Sequence, residues 1–502
     1  MEEIRVKDEQ SKTPTDPEML KYSEIRNGQF VRYYGKKAEV TIPDGVSVIT
    51  EEAFAGNPHL TRVVIGPHVG IIQAGAFRGC TGLKQISFSS GLREIGNEAF
   101  CGCTSLASVR LPRTVTSLGD AVFRDCTALR MIALSAGLCH LGGYAFCNCE
   151  ALEEIAIPEG VTSIHRSTFF NCRSLRSVEL PKGMRNVGRF SFARCVSLAS
   201  IELPPSVQYL GIGAFSECAS LVGCTVPQPV RFIGDYTFSG CESMRVLELP
   251  RHLSYIGNAA FCACKSLEEV YLSEHLTRIG HSAFLGCASL KCVTIPASVE
   301  DIARGAFAYC DMLERVECLA PLKEIEDELF RGCFALKTIM LPDSVEKIEK
   351  NAFMDCISLT EIGFSSHLCR IEASAFEGCM KLAAISLPDS LECIEHDAFA
   401  RCGMLDTVIL PDSRVKLERG VFGECDALET VVVSDRQHIF RLTRIYLGMN
   451  ADVQIVLHSD LVRAALLAEL TDPDLSPDRQ IEIELMLLGK RRRSRRLRRT
   501  EE

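Results

Sequence analysis

Three Cys-x-Cys pairs, Cys101/Cys103, Cys147/Cys149 and Cys262/Cys264, have the residue type and close spacing that zinc sites use. Two such pairs brought together would supply four thiolates to one tetrahedral ion. Carboxylates form a second group: Glu154, Glu179, Glu202, Glu248, Glu269, Glu317 and Glu361 recur through the middle of the chain. A fold that lined them up could use them as acids and bases or as a negative surface. The third group is at the end, where Lys490, Arg491, Arg492, Arg493, Arg495, Arg496, Arg498 and Arg499 crowd into ten residues. Such a tail suits RNA, anionic lipid or an acidic protein face.

What these groups can do depends on the elements that carry them, and those are unusually legible. A 23-residue unit runs seventeen times from Ala38 to Leu428 without an insertion or deletion. Apolar residues fill positions 3, 5, 9 and 12 of the unit, Phe fills position 17, Cys position 20 and Leu position 23. Phe54, Phe77, Phe100 and every counterpart through Phe422 are present. A unit this short cannot bury a core alone, so each copy must cover its neighbours and the product is a solenoid. Alternation around Val109-Arg110-Leu111 predicts one strand per coil with one face buried. Pro at position 6, as in Pro112, Pro158 and Pro181, ends that strand because it has no N–H to donate. The Val-x-x-Ile piece that follows reads as a second short strand, and the Ala-Phe-x-x-Cys segment as a brief helical turn.

This frame decides much of the chemistry. The zinc reading fails on distance, because the pairs are two and five coils apart, about 10 and 24 Å at the usual strand spacing. Sixteen of the 25 Cys are position 20, from Cys80 to Cys425, and read as small buried hydrophobes, with free thiols expected although the coil spacing would allow bridges. No metal and no cofactor is expected. Catalysis is not expected either: there is no phosphate loop, nucleophile elbow or His-Glu-x-x-His motif, and His140, His165 and His281 fall on surface positions.

The spacing C-x-x-L-x-x-I-x-L-P-x-x-V-x-x-I-G-x-x-A-F resembles the leucine-rich repeats of the BspA-like, Treponema-type class. The opening Phe30-Val31-Arg32-Tyr33-Tyr34-Gly35, then Val40-Thr41-Ile42-Pro43-Asp44-Gly45-Val46, resembles that family's entry hairpin. The resemblance covers residues 28 to 428. It implies an α/β leucine-rich-repeat solenoid wound as a right-handed superhelix, and a non-enzymatic binding role, often at a bacterial or protist cell surface. In that fold positions 2 and 4 line the concave sheet. The carboxylates named above, with Tyr271, Met340 and Ile409 as apolar anchors and Arg315 as the main opposing charge, then form an acidic face for a basic protein partner.

Four segments are expected: 1–37 as an N-terminal segment and hairpin cap, 38–428 as the repeats, 429–458 as a C-terminal cap, and 459–502 as helices with the basic tail. Ser459-Asp460 and Ser476-Pro477-Asp478 open those helices. From Gly489 onward eight bases and two acids give +6, so the remainder of a chain of net charge −10 carries −16, and the tail could dock on the acidic face of its own or a neighbouring chain. The first residues lack a signal-peptide core, which favours a cytoplasmic location over the surface one the resemblance suggests. Position 13 also changes, from Gly in coils three to eleven, apart from His165, to Glu326, Glu349, Glu372, Glu395 and Glu418 in the last five. These acids are expected at short helix starts, helped by Lys347, Lys350, Arg370, Lys416 and Arg419, with a cation or basic-ligand ridge as the sharper alternative.

Overall fold

A computed structural model describes residues 17–411, 415–433, 448–449 and 452–457. One short helix, Pro17–Lys21, precedes an antiparallel hairpin of Ser23–Arg26 and Gln29–Tyr33. The second hairpin strand pairs in parallel with Val48–Ile49 of coil one and so starts the stack. The later coils repeat one course, except that coils eight and eleven lack a regular first strand. In coil four the first strand is Ser108–Arg110, with Val109 buried and its neighbours exposed, and the second strand is Ser117–Leu118. The first strand pairs with the next coil at an offset of 23, Ser108 to Met131 and Val109 to Ile132, and the second likewise, Ser117 to His140. An unbroken period therefore puts every side chain over its counterpart. Leu111 still donates its N–H to Ala133, and the ladder stops at Pro112, which has none. Beyond coil seventeen, Thr430–Val433 and Gln454–Leu457 add two more parallel strands.

The expected helical turn is not a helix. Positions 15 and 19 take left-handed backbone angles in all seventeen coils, mostly with residues other than glycine, such as Ala121, Tyr144 and Asn148. That alternation turns the N–H groups along the stack. Ala121, Phe123 and Asp125 donate to Gly143, Ala145 and Cys147 of the next coil, whereas an α-helix would aim them at its own preceding turn. Left-handed residues cost roughly 1–2 kcal/mol each, and the bonds between coils offset that cost. The helical segments expected after Ser459 lie outside the described residues.

Two ladders fill the core. The Phe rings run without a gap from Phe30 in the hairpin to Phe422, with neighbouring centroids 4.8 to 6.0 Å apart and planes within 19°. Beside them every position-20 Cys, from Cys80 to Cys425, donates its S–H to the carbonyl of the Phe in the preceding coil at 3.1 to 3.3 Å. That carbonyl also accepts the N–H of its own coil's Cys, as Phe77 does from Cys80. Cys is thus more than a small hydrophobe here: it fits the space and brings a donor. Asn57 takes over in coil one, donating to Gly35 of the cap. All 25 cysteines are free thiols, and burial pushes up interior ones such as Cys80 and Cys224, both to about 12. A disulfide between coils would remove two of these S–H bonds.

Candidate functional site

The strand positions expected to face outward do so. Glu154, Glu179, Glu202, Glu248, Glu269, Glu317 and Glu361 are all exposed, with Tyr271 at 77% and Met340 at 68% exposure among them. The acids do not stack directly on one another through most of the face, because they are divided between positions 2 and 4 and small or hydroxyl residues intervene; Glu179 and Glu202, both at position 4 of consecutive coils, are the exception. Glu154 stands opposite Ser177, Glu179 opposite Ala156, and Glu361 opposite Thr338. Thr225 donates to Glu248 at 3.1 Å and Thr294 to Glu317 at 3.2 Å. The Tyr271 hydroxyl donates to Glu269 at 2.8 Å, and that bond raises its pKa. Arg315 sits between Cys292 and Thr338. Met340 lies over Gly363, where a Cβ would come within 2.4 Å of its methyl carbon. Ile409, opposite Ser386, is 38% exposed.

The first-strand ladder has interruptions that the repeat pattern does not reveal. Residues 199–203 of coil eight form no strand, and coil eleven keeps a single bridge, Glu269 to Cys292. At each the face sinks. A depression of about 390 Å³ lies over Glu202, Gly223, Thr225 and Val246, and one of about 240 Å³ over Glu269, Tyr271, Cys292 and Thr294. Val246, 60% exposed, was missed from the sequence reading, although Gly223 at a strand position and the Pro204-Pro205 pair beside it were visible signals.

The position-13 acids lie on a different flank. They start no helix, so the dipole account fails, and the compensation comes from position 11 instead. Lys347 reaches Glu349 and Glu372, both at 2.8 Å, Arg370 reaches Glu395 at 3.4 Å, and Lys416 reaches Glu418 at 2.8 Å. Lys350 and Arg419 form no ion pair among the described residues. Glu326 forms no ion pair among the described residues. Burial, then the charge of Glu349, raise it to about 7, and it shares a proton with Glu349. Burial opposes the charge on Glu349 too, but Lys347 outweighs it and holds Glu349 below the usual carboxylate range.

In each Cys-x-Cys pair the second thiol, such as Cys103, joins the thiol ladder and the first lies outside it, Cys101 and Cys262 half-buried and Cys147 buried. Among the described residues no three His, Cys, Asp or Glu are grouped to hold a metal ion, and no helix is long and apolar enough to cross a membrane. The basic tail, Lys490 to Arg499, lies outside the described residues.

A parallel two-ladder coil of 23 residues with a Phe–Cys–Leu interior defines a leucine-rich-repeat solenoid. The family model for the BspA type leucine rich repeat region, with six copies, matches residues 23–153, 139–246, 231–360 and 323–442, and the chain belongs to that family. Among solved structures it is similar to a leucine-rich repeat protein from Bacteroides ovatus, at 24% identity over 86% of this chain and 94% of that one, TM-score 0.46. A leucine rich repeat protein of T. pallidum is 35% identical over 34% of this chain and 82% of its own, TM-score 0.33. A leucine rich cell surface protein from Faecalibacterium prausnitzii is 24% identical over 84% and 93%, TM-score 0.33. No curated protein matches the chain.

Proposed function

We propose that the chain is a non-enzymatic protein-interaction scaffold whose outward strand face, from coil six to coil fifteen, docks a basic protein partner. The observation that carries this is the pairing of exposed apolar side chains with carboxylates at the two depressions: Val246 beside Glu202 and Glu248, and Tyr271 bonded to Glu269. Aromatic anchors ringed by charge are the composition of interface centres and rims. Hydroxyl-bonded Glu248 and Glu317 are held in place before a partner arrives, which lowers the cost of ordering them. The face is open along its length, so it suits an extended or broad surface better than a small substrate that must be shielded from water.

Affinity capture tests the reading. The full chain should retain a basic partner that a Glu179→Lys, Glu202→Lys, Glu248→Lys variant of equal stability loses, while deletion of 490–502 leaves capture by this face intact. Equal capture by the triple variant would sink it. Where the protein works is a separate proposal. We favour the cytoplasm, and the alternative is a surface adhesin, the location printed in the name of the Faecalibacterium relative. Surface-protease sensitivity with oxidised cysteines would favour the adhesin; protection with reduced thiols would favour the scaffold. A nucleic-acid or anionic-lipid role for the tail is a further reading, tested by pull-down with and without nuclease.

A further inference from the structure

The strand face does not account for the flank built from positions 10 to 15. In coils six to ten this flank carries Arg166, Arg185, Arg189 and Arg231 against one carboxylate, Asp235. Arg185 and Arg231 are exposed and, among the described residues, in no ion pair; Arg189 lies over the Phe190 ring at 5.2 Å. Between them Tyr209 and Phe232 stand with centroids 5.9 Å apart, 38% and 40% exposed. The same positions of coils thirteen to seventeen carry eleven acids against six bases. At the boundary, Arg278 of coil eleven pairs with Asp301 of coil twelve at 2.8 Å.

Exposed aromatics among unpaired arginines make an interface composition, and the surface opposite in charge is on this same chain, seven coils along. Two copies laid flank to flank and antiparallel, about a two-fold axis between coils eleven and twelve, bring coil n onto coil 23 − n with equal positions facing. The matching then follows from the period alone. Arg185 meets Glu392 of the second copy, and Arg231 meets Glu346, whose carboxylate is shared with Lys323 of its own chain. Tyr209 meets Arg370, Phe232 meets Lys347, and Arg278 meets Asp301 at the axis. Asp235 meets Lys350. The outermost rung, Arg166 against Arg419, is unfavourable and marks the edge. We infer that this flank is a self-complementary surface on which a second copy of the chain docks antiparallel. Twelve coils at about 4.8 Å and a strip about 13 Å wide give roughly 750 Å² per copy, close to the size of specific interfaces. Residues of positions 2 and 4 take no part, so the strand face stays open in the pair.

Sedimentation velocity on the full chain tests this. A dimer is expected at about 50 mM NaCl, with its dissociation constant rising at least about tenfold at about 500 mM, because the facing charges are at the surface and screened. Arg185→Glu with Arg231→Glu should give a monomer, as should Glu346→Arg with Glu392→Arg. These sites are exposed, and unchanged circular dichroism would show both variants folded. Mixed one to one, the two variants should form a heterodimer, since all four of its 185–392 and 231–346 contacts again join opposite charges. A wild-type chain that stays monomeric at about 100 μM in low salt, charge variants that dimerise as the wild type does, or a mixture that stays monomeric would each overturn the proposal. So would retention of a nucleic acid or acidic peptide by this flank without any dimer.

Discussion

In coils three to eleven position 13 is glycine, apart from His165, and in coils thirteen to seventeen it is glutamate, on one repeating backbone course. In the first block most of these glycines have no room for more, Gly234 being the exception with its nearest neighbour at 3.5 Å. A Cβ on Gly119 would lie 2.5 Å from the Asn97 nitrogen, one on Gly142 2.4 Å from the Gly119 carbonyl carbon, and one on Gly211 2.4 Å from the Arg189 nitrogen. In the second block Glu349, Glu372 and Glu395 fit there, half-buried, and lean on Lys347 and Arg370. The same position is governed by steric approach in one block and by charge pairing in the other. A repeat that fixes length and core can therefore still vary how closely successive coils pack at one edge.

Exchanging the two residues should break the comparison unequally. Gly211→Glu is expected to destabilise by about 3 kcal/mol, since backbone must move to admit the side chain. The reverse change, Glu372→Gly, should cost about 1 kcal/mol, for lost ion pairing and added backbone freedom. Denaturant midpoints, read with hydrogen exchange of the affected coils because long arrays unfold in parts, would check both. Equal costs would mean that close packing does not distinguish the blocks. Next in size, Cys218→Ala and Cys356→Ala should each cost about 1–2 kcal/mol, and by the same amount in either block, because the S–H to carbonyl bond is common to both. A clear difference between them would show that the interior also changes. Lys347→Met should then cost about 1 kcal/mol, as two half-buried carboxylates lose their shared partner.

The smallest effect depends on pH. In the unfolded chain Glu326 ionises near 4.3, and in the fold at about 7. The native state holds the additional proton between those values, so stability falls as pH rises through that window, and the penalty is complete above about 7. Glu326→Gln should remove this slope, leaving the variant more stable than the parent at pH 8, by about 1 kcal/mol, and little different at pH 4. Parallel stability curves for the two proteins would contradict the shared proton.

The sequence makes the core readable because fixed spacing leaves one register, and Phe, Cys and Leu can only stack. The cap was partly readable: its hairpin was expected, but Phe30 as the head of the ring ladder was hidden, since it lies 24 residues before Phe54, outside the 23-residue period. The turn was misread because left-handed residues such as Ala121 and Tyr144 carry no signal by type; their conformation follows from bonds to the next coil, which a single unit does not contain. Outward positions were correctly placed by alternation. That the acids are spaced by hydroxyl partners, and that the face sinks at coils eight and eleven, depends on pairing between coils and is not written in any one of them. Likewise the Arg and aromatic flank is scattered over positions 10, 11 and 14, each ordinary alone.

The central claim is that the strand face is the one a partner covers, and methionine oxidation reads it directly. Met340 is on that face, and Met312 and Met404, 50% and 57% exposed, are on the turn side. With the captured partner bound, mass spectrometry after mild peroxide or radical oxidation should find Met340 protected severalfold and Met312 and Met404 modified as in the free chain. Protection of Met312 and Met404 with Met340 still open would contradict the account.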